Sequence, residues 1–250
     1  MDKNIFRKRV GIMLLVTVIV VTACNTGLRV IRGSGNVVTE ARQVSNFDSV
    51  ELSGSGEVIV TQSGSESLTI ETDDNVMEYI KAEVENGTLK LGLVTGLSTG
   101  VNVQSTTRLV FYLDVKDISS LSVSGSGEID SDKIESNQLK LSISGSGRVQ
   151  IADLVASEVG SEVSGSGEIN LAGEVARQEV SISGSGAYLA GDLCSEFVRV
   201  STSGSGDSTV CATETLEVST SGSGTVSYYG SPAVSVSGSG SGNLQSLGEK

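Results

Sequence analysis

Leu139-Lys140-Leu141-Ser142-Ile143-Ser144-Gly145-Ser146-Gly147-Arg148-Val149-Gln150-Ile151 decides the fold. Apolar and polar residues alternate on both sides of the glycines. Leu139, Leu141 and Ile143 share one face before them, and Val149 and Ile151 share one face after them. Such period-two alternation means strands with one buried face. The same pattern recurs at Val180-Ser181-Ile182-Ser183-Gly184 and at Val50-Glu51-Leu52-Ser53-Gly54.

The tripeptide Gly-Ser-Gly starts at Gly33, Gly54, Gly125, Gly145, Gly165, Gly184, Gly204, Gly222 and Gly238. From Gly125 onward the steps are 20, 20, 19, 20, 18 and 16 residues. A period near 20 marks a solenoid. The chain of 250 residues holds 31 Gly and 42 Ser, which on composition alone would also suit a flexible linker. A linker has no reason to place aliphatic residues at fixed offsets from each tripeptide. The sequence therefore predicts an all-β fold, a single-stranded parallel β-helix with coils of about 20 residues. Two or three short strands with turns would make each coil, stacked ~4.8 Å apart. The structural corners are the glycine pairs Gly54 and Gly56, Gly125 and Gly127, Gly145 and Gly147, Gly165 and Gly167, Gly184 and Gly186, Gly204 and Gly206, Gly222 and Gly224, and Gly238 and Gly240. Glycine there permits positive φ and close approach of successive coils. The Ser between them is expected to add a polar ladder.

Stacking also brings the residues after each corner together. Glu128, Arg148 and Glu168 would be axial neighbours, followed by Ala187, Asp207 and Thr225. Opposite charges adjacent across strands stabilise by a few tenths of a kcal/mol or somewhat more.

The interval between Gly54 and Gly125 lacks the clean repeat and predicts a wider, hairpin-containing section. Leu68 to Glu71, Leu89 to Leu91 and Leu109 to Leu113 read as strands, Asn86-Gly87 as a hairpin turn, and 75–81 as a short helical or irregular turn. Residues 96–106 read as a crossing loop. The last coil is expected to cap an open edge, with Pro232, the one proline, in the turn before it.

The N-terminus reads as a processing segment. Lys3, Arg7, Lys8 and Arg9 precede an apolar stretch from Val10 to Val21, too short for a membrane span. Val21-Thr22-Ala23-Cys24 resembles the bacterial lipobox. That resemblance implies cleavage of residues 1–23, a diacylglycerol on Cys24, and a tether over 24–44 ahead of a β-helix domain at 45–245. The domain divides into an irregular part, 45–120, and regular coils, 121–245. The chain carries −13 at pH 7, and removing 1–23 takes away a net +3 to leave −16. Such a charge disfavours nucleic acid and anionic headgroups. The expected location is the cell envelope, lipid-anchored and facing the periplasm or exterior.

A family resemblance adds to this reading. Ser164-Gly165-Ser166-Gly167-Glu168-Ile169-Asn170, Leu121-Ser122-Val123-Ser124-Gly125 and the stretch from Ser221 to Pro232 resemble the GIN-domain family, the head domain of auto-transporter adhesins. The likeness covers about 45–245 and implies a right-handed β-helix and an adhesin-like role. These 250 residues show no translocator barrel, so autotransport by this chain alone is not expected.

Sites of chemistry are sparse. The chain has no His, so His-ligated metals and Ser-His-Asp catalysis are excluded. Cys194 and Cys211 lie in neighbouring coils. Counting back from the glycines puts Leu193, not Cys194, level with Cys211, so the sulfurs are expected on different faces, and whether they pair stays open. Asp73, Asp74, Glu78, Glu83, Glu85, Asp114, Asp117, Asp130 and Asp132 could serve a glycoside-cleaving pair only if two converged in a groove. Asp73-Asp74-Asn75 is weighed as a weak Ca²⁺ site and set aside, because the known calcium-loop patterns are absent. No cofactor and no metal are expected. Tyr228 and Tyr229 are a candidate recognition patch, with one ring expected inward.

The leading function is a non-catalytic adhesion, binding or structural lipoprotein that uses a solenoid flank to meet an envelope glycan or surface protein. Its flanks or ends could also join copies into a homo-oligomer. The alternative is a carbohydrate-active enzyme, lyase-like or hydrolase-like, on a β-helix; a stress-sensor accessory ranks third.

Overall fold

A computed structural model describes residues 29–94, 101–105 and 107–250. The expected signal segment 1–23 and lipidated Cys24 lie outside the described residues. Strands β1 (Arg29–Arg32) and β2 (Val37–Arg42) come first, then β3 (Ser49–Gly54) and β4 (Glu57–Gln62) on either side of a glycine corner. The irregular interval holds β5 (Ser67–Asp73), a 3-10 turn at Met77–Tyr79, β6 (Ile80–Glu85), β7 (Thr88–Leu93), β8 (Val101–Gln104) and β9 (Val110–Val115). The regular coils are β10 (Ser120–Gly125), β11 (Glu128–Ser131), β12 (Ile134–Gly145), β13 (Arg148–Gly165), β14 (Glu168–Gly184), β15 (Ala187–Gly204) and β16 (Asp207–Gly222). The stack ends with β17 (Thr225–Tyr229), β18 (Ala233–Gly238) and β19 (Asn243–Gly248).

The fold is a parallel β-helix. Strands β13 to β16 each run from one glycine corner to the next, so the coil is a long bent strand rather than several short ones. Parallel register holds Gly125 level with Gly145, Gly145 with Gly165, Gly165 with Gly184 and Gly184 with Gly204. Inward columns fill the interior. Leu52, Val123, Ile143, Val163 and Ile182 form one, and Val58, Ile129, Val149, Ile169 and Tyr188 another, all buried. Burying each large aliphatic side chain contributes about 1.5–3 kcal/mol.

The two glycines of a corner do different jobs. At Gly145 φ is 127°, and a Cβ would meet the Gly125 carbonyl oxygen at 2.4 Å. At Gly147 a Cβ would stand 2.5 Å from Val123 Cγ1, an inward side chain of the coil before. The corner does not interrupt axial pairing. The Ser146 amide donates to the Gly125 carbonyl at 2.8 Å, and the Arg148 amide donates to that of Gly127 at 3.0 Å. The expected serine ladder is thus carried by main-chain amides.

The irregular interval is a cap folded underneath the coil that precedes it in sequence. β3 is level with β10 above and β7 below, and β4 lies between β11 and β9. Gly54 therefore stacks directly under Gly125. Three antiparallel pairings then close the N-terminal end: β6 on β7, β5 on β9, and β2 on β5. Asn86 (φ 52°) and Gly87 (φ 78°) make the expected hairpin turn between β6 and β7, and the 3-10 turn falls within 75–81 as read.

Four expectations need correction. Residues 29–42, inside the expected tether, carry β1 and β2, and β2 joins the cap sheet by pairing antiparallel with β5. Within the expected loop at 96–106, Val101–Gln104 is a strand parallel to β1, and the Gly33 tripeptide hydrogen-bonds there (Gly33 amide to Gln104 carbonyl, 2.8 Å) instead of joining the stack. At the last corner Gly240 lies over Gly222 and Gly242 over Gly224, whereas Gly238 lies over Thr220. The final step is thus 18 residues, because Gly238-Ser239-Gly240-Ser241-Gly242 offers two overlapping tripeptides and stacking selects the second. Finally, Cys194 and Cys211 are level and form a disulfide, closing a separation of 17 residues. Counting failed because β15 carries three extra residues, Gly191 to Leu193, between the partners of Val210 and Cys211.

Candidate functional site

Outward columns are as regular as the buried ones. Glu57, Glu128, Arg148, Glu168, Ala187 and Asp207 are level along the face that follows the corners. Arg148 sits 3.5 Å from Glu128 and 3.3 Å from Glu168, and Arg108 pairs with Glu57. The Asp207 carboxylate accepts the Thr225 amide at 2.8 Å. Arg148, Glu128, Glu168 and Arg108 are solvated and Glu57 is partly covered, so each pair contributes at most ~1 kcal/mol and chiefly fixes register. One outward position further along, Asp130 is half-buried. Desolvation, then the Glu128 and Glu57 carboxylates, push its carboxyl up to about 6. It borders a depression of about 210 Å³ with Gln62, Asp132 and Gln150.

An interruption of an outward column lies on the face before the corners. Lys140, Gly160, Glu179, Arg199 and Glu217 are level from β12 to β16. Arg199 and Glu217 pair at 2.6 Å. Gly160 has no side chain, and a Cβ there would meet nothing within 4 Å. The missing side chain leaves a groove of about 490 Å³ bounded by Gln138, Lys140, Glu158, Glu162 and Glu179. At Ser119 and Gln138 it runs into a wider hollow of about 800 Å³ edged by Asp48, Asp117 and Glu135. The combined rim holds six carboxylates and one ammonium from these residues, so its field is negative. It repels polyanions and offers acceptors to hydroxyls and cations.

The structure separates Tyr228 from Tyr229. Tyr228 continues an inward column and packs against the core, as alternation requires. Tyr229 lies on the other side, beside Gly191, with Lys250 Nζ 5.1 Å from its ring centre. The two rings do not form one patch. The acids named from the sequence are likewise dispersed. Asp73 is buried and accepts from the Gly35 amide (2.7 Å) and Ser105 Oγ (2.7 Å). Asp74 accepts from Asn36 Nδ2 and Ser34 Oγ, which hold its carboxyl below the usual carboxylate range. Asn75 donates to the Arg32 carbonyl. These oxygens clamp the 33–36 turn to the cap. Asp114 takes the Ser67 hydroxyl at 2.6 Å, and Glu85 is held by Lys81 and Lys90. Among the described residues, no group of three or more His, Cys, Asp or Glu is arranged to hold a metal ion.

Sequence reasoning missed the Gly160 groove and one buried network. Tyr188 Oη donates to Gln178 Oε1 (2.9 Å), while Gln178 Nε2 donates to the Leu193 carbonyl (2.6 Å) and Ser195 Oγ (2.8 Å). Burial raises the Tyr188 phenol well above its ordinary range. Gly160 had a signal: it is a glycine between the buried Val159 and Ser161 of a strand, at an outward position away from any corner.

Residues 46–232 match the family described as "Putative auto-transporter adhesin, head GIN domain". Among solved structures, a "putative adhesin" of Bacteroides fragilis is 24 % identical, with 87 % of this chain and 100 % of that chain covered and a TM-score of 0.80. A "putative lipid binding protein" of Parabacteroides distasonis is 26 % identical over 88 % of this chain and 100 % of its own, with a TM-score of 0.75. A "putative adhesin" of Parabacteroides merdae is 21 % identical over 88 % and 99 %, with a TM-score of 0.70. No curated protein matches. With the family match spanning most of the stacked coils, this chain belongs to the GIN-domain family of auto-transporter adhesin heads.

Proposed function

We propose that this protein is a non-catalytic adhesion module of the cell envelope, anchored through a lipid on Cys24, whose contact surface is the Gly160 groove. The observation that carries the reading is the one-residue gap between Lys140 and Glu179 in an otherwise filled outward column. A rigid solenoid flank with a gap is a preformed cleft, and preformed clefts bind without the cost of ordering a loop. Carboxylates and amides on its rim suit the hydroxyls of an uncharged envelope glycan, and the negative field argues against anionic polymers. The lipobox-like Val21-Thr22-Ala23-Cys24 supports the anchored location: each buried CH₂ of an acyl chain on Cys24 would be worth ~0.8 kcal/mol, and more than one chain would give durable attachment. Among the described residues no helix is long and apolar enough to cross a membrane.

The test is binding of the full chain to arrays of neutral, cationic and anionic glycans. Neutral glycans should be retained, and Gly160→Arg, which fills the groove without a backbone clash, should weaken retention at least tenfold. Equal binding by Gly160→Arg would reject the groove. Metabolic labelling with palmitate should mark the wild type and not Cys24→Ala. A second reading, a carbohydrate-active enzyme, draws on Asp130, whose raised carboxyl beside Glu128 is the kind of group that acts as a general acid. It requires release of reducing sugar that disappears in Asp130→Asn.

A further inference from the structure

The two ends of the stack differ. At the N-terminal end β6, β5 and β2 cover the last parallel strands in antiparallel fashion, and they bear Lys81, Glu83, Glu85, Glu40 and Arg42. At the C-terminal end β18 pairs with β16 and β19 with β17, and among the described residues no strand pairs with their outer edges. All six residues of β18 are exposed. Val234 and Val236 continue the inward column of Leu216 and Val218, yet they are 40 % and 55 % exposed. From Val218 to Gly248 the chain has no Asp, Glu, Lys or Arg.

We propose that this open end pairs with the same end of a second copy to make a closed twofold dimer. An unpaired apolar edge is a template for another strand. The charge pattern selects a like chain as the occupant. Each copy carries a large net negative charge, so the approach of two copies is least opposed through a neutral surface, and this end is neutral. The opposite end is covered by antiparallel strands bearing charges, which disfavours head-to-tail growth and favours an isologous contact. In such a dimer β18 runs antiparallel to its copy about Ser235. Val234 then faces Val236 of the partner subunit, and the interior column of one protomer runs on into the other.

Paired residues in an antiparallel ladder have Cα atoms ~4.5–5.5 Å apart, within reach of a disulfide. The test places Ser235→Cys in the full chain in its membrane, with Ser201→Cys, exposed in mid-stack β15, as the control. Mild oxidation should convert most of the Ser235→Cys protein, and little of the control, to a species of twice the monomer mass. In detergent, the wild type should sediment as a dimer. Val236→Lys, a change at a largely exposed position, should sediment as a monomer with an unchanged circular dichroism spectrum. The proposal is overturned if Ser235→Cys cross-links no better than the control, if the cross-linked partner is another protein, if the wild type sediments as a monomer or a longer polymer, or if Val236→Lys stays dimeric.

Discussion

Gly165 lies so close above Gly145 that a Cβ on it would stand 2.5 Å from the Gly145 carbonyl oxygen. That carbonyl is also the acceptor for the Ser166 amide at 2.8 Å. Close approach and axial hydrogen bonding are thus one feature. A side chain at Gly165, where φ is 119°, would lift the coil off its neighbour and strain the backbone as well.

Two glycines of the same strand β13 should therefore respond in opposite ways. Gly165→Ala is expected to cost about 3 kcal/mol or more through the clash and the positive φ. Gly160→Ala, with open space around it, should be neutral or stabilising by ~0.5 kcal/mol, since it restricts the unfolded chain. Urea midpoints of the two variants measure the contrast.

The Cys194–Cys211 disulfide closes a 17-residue separation, for which the loop-entropy model gives about 3 kcal/mol. Reductant, or Cys194→Ser with Cys211→Ser, should lower the thermal midpoint by several degrees while leaving the strand spectrum intact below it. An unchanged midpoint would show that the bond does not form in solution.

Tyr188→Phe removes the hydroxyl that serves Gln178 Oε1 in the buried interior. Leaving that acceptor unpaired should cost about 1–3 kcal/mol. Because Gln178 also serves Leu193 and Ser195, a double change with Gln178→Leu should deviate clearly from the sum of the single changes, as denaturation cycles would reveal.

Asp130 gives stability a pH dependence. Its folded carboxyl, raised to about 6, binds a proton more tightly than the unfolded one near 4. The group is then least unfavourable below pH 4, and its ionisation erodes stability as pH rises from about 4 through 6. Asp130→Asn should gain on the wild type over that window, reaching ~1 kcal/mol at pH 7 after allowing for solvent screening. Thermal midpoints at pH 4 and 7 test the sign.

Strand, corner and coil length were legible in the sequence, because each is a local property. Alternation such as Leu139, Leu141 and Ile143 reports a buried face, and a glycine pair reports a tight corner, wherever they sit. Even the column Glu128, Arg148, Glu168 could be read by counting, since β11, β13 and β14 keep a constant step there. Counting failed where a coil gained or lost residues between corners. Leu193 and Cys194 exchanged places for that reason, and the last corner moved from Gly238 to Gly240. Tertiary packing alone decided those registers: Leu193 turns inward level with Gly173 and is buried, which leaves Cys194 level with Cys211. It also decided that the interval after Gly54 folds back below its own coil, and that the opposite end stays open. Both outcomes depend on contacts between residues as far apart as Ser131 and Val60, and no local pattern encodes such contacts.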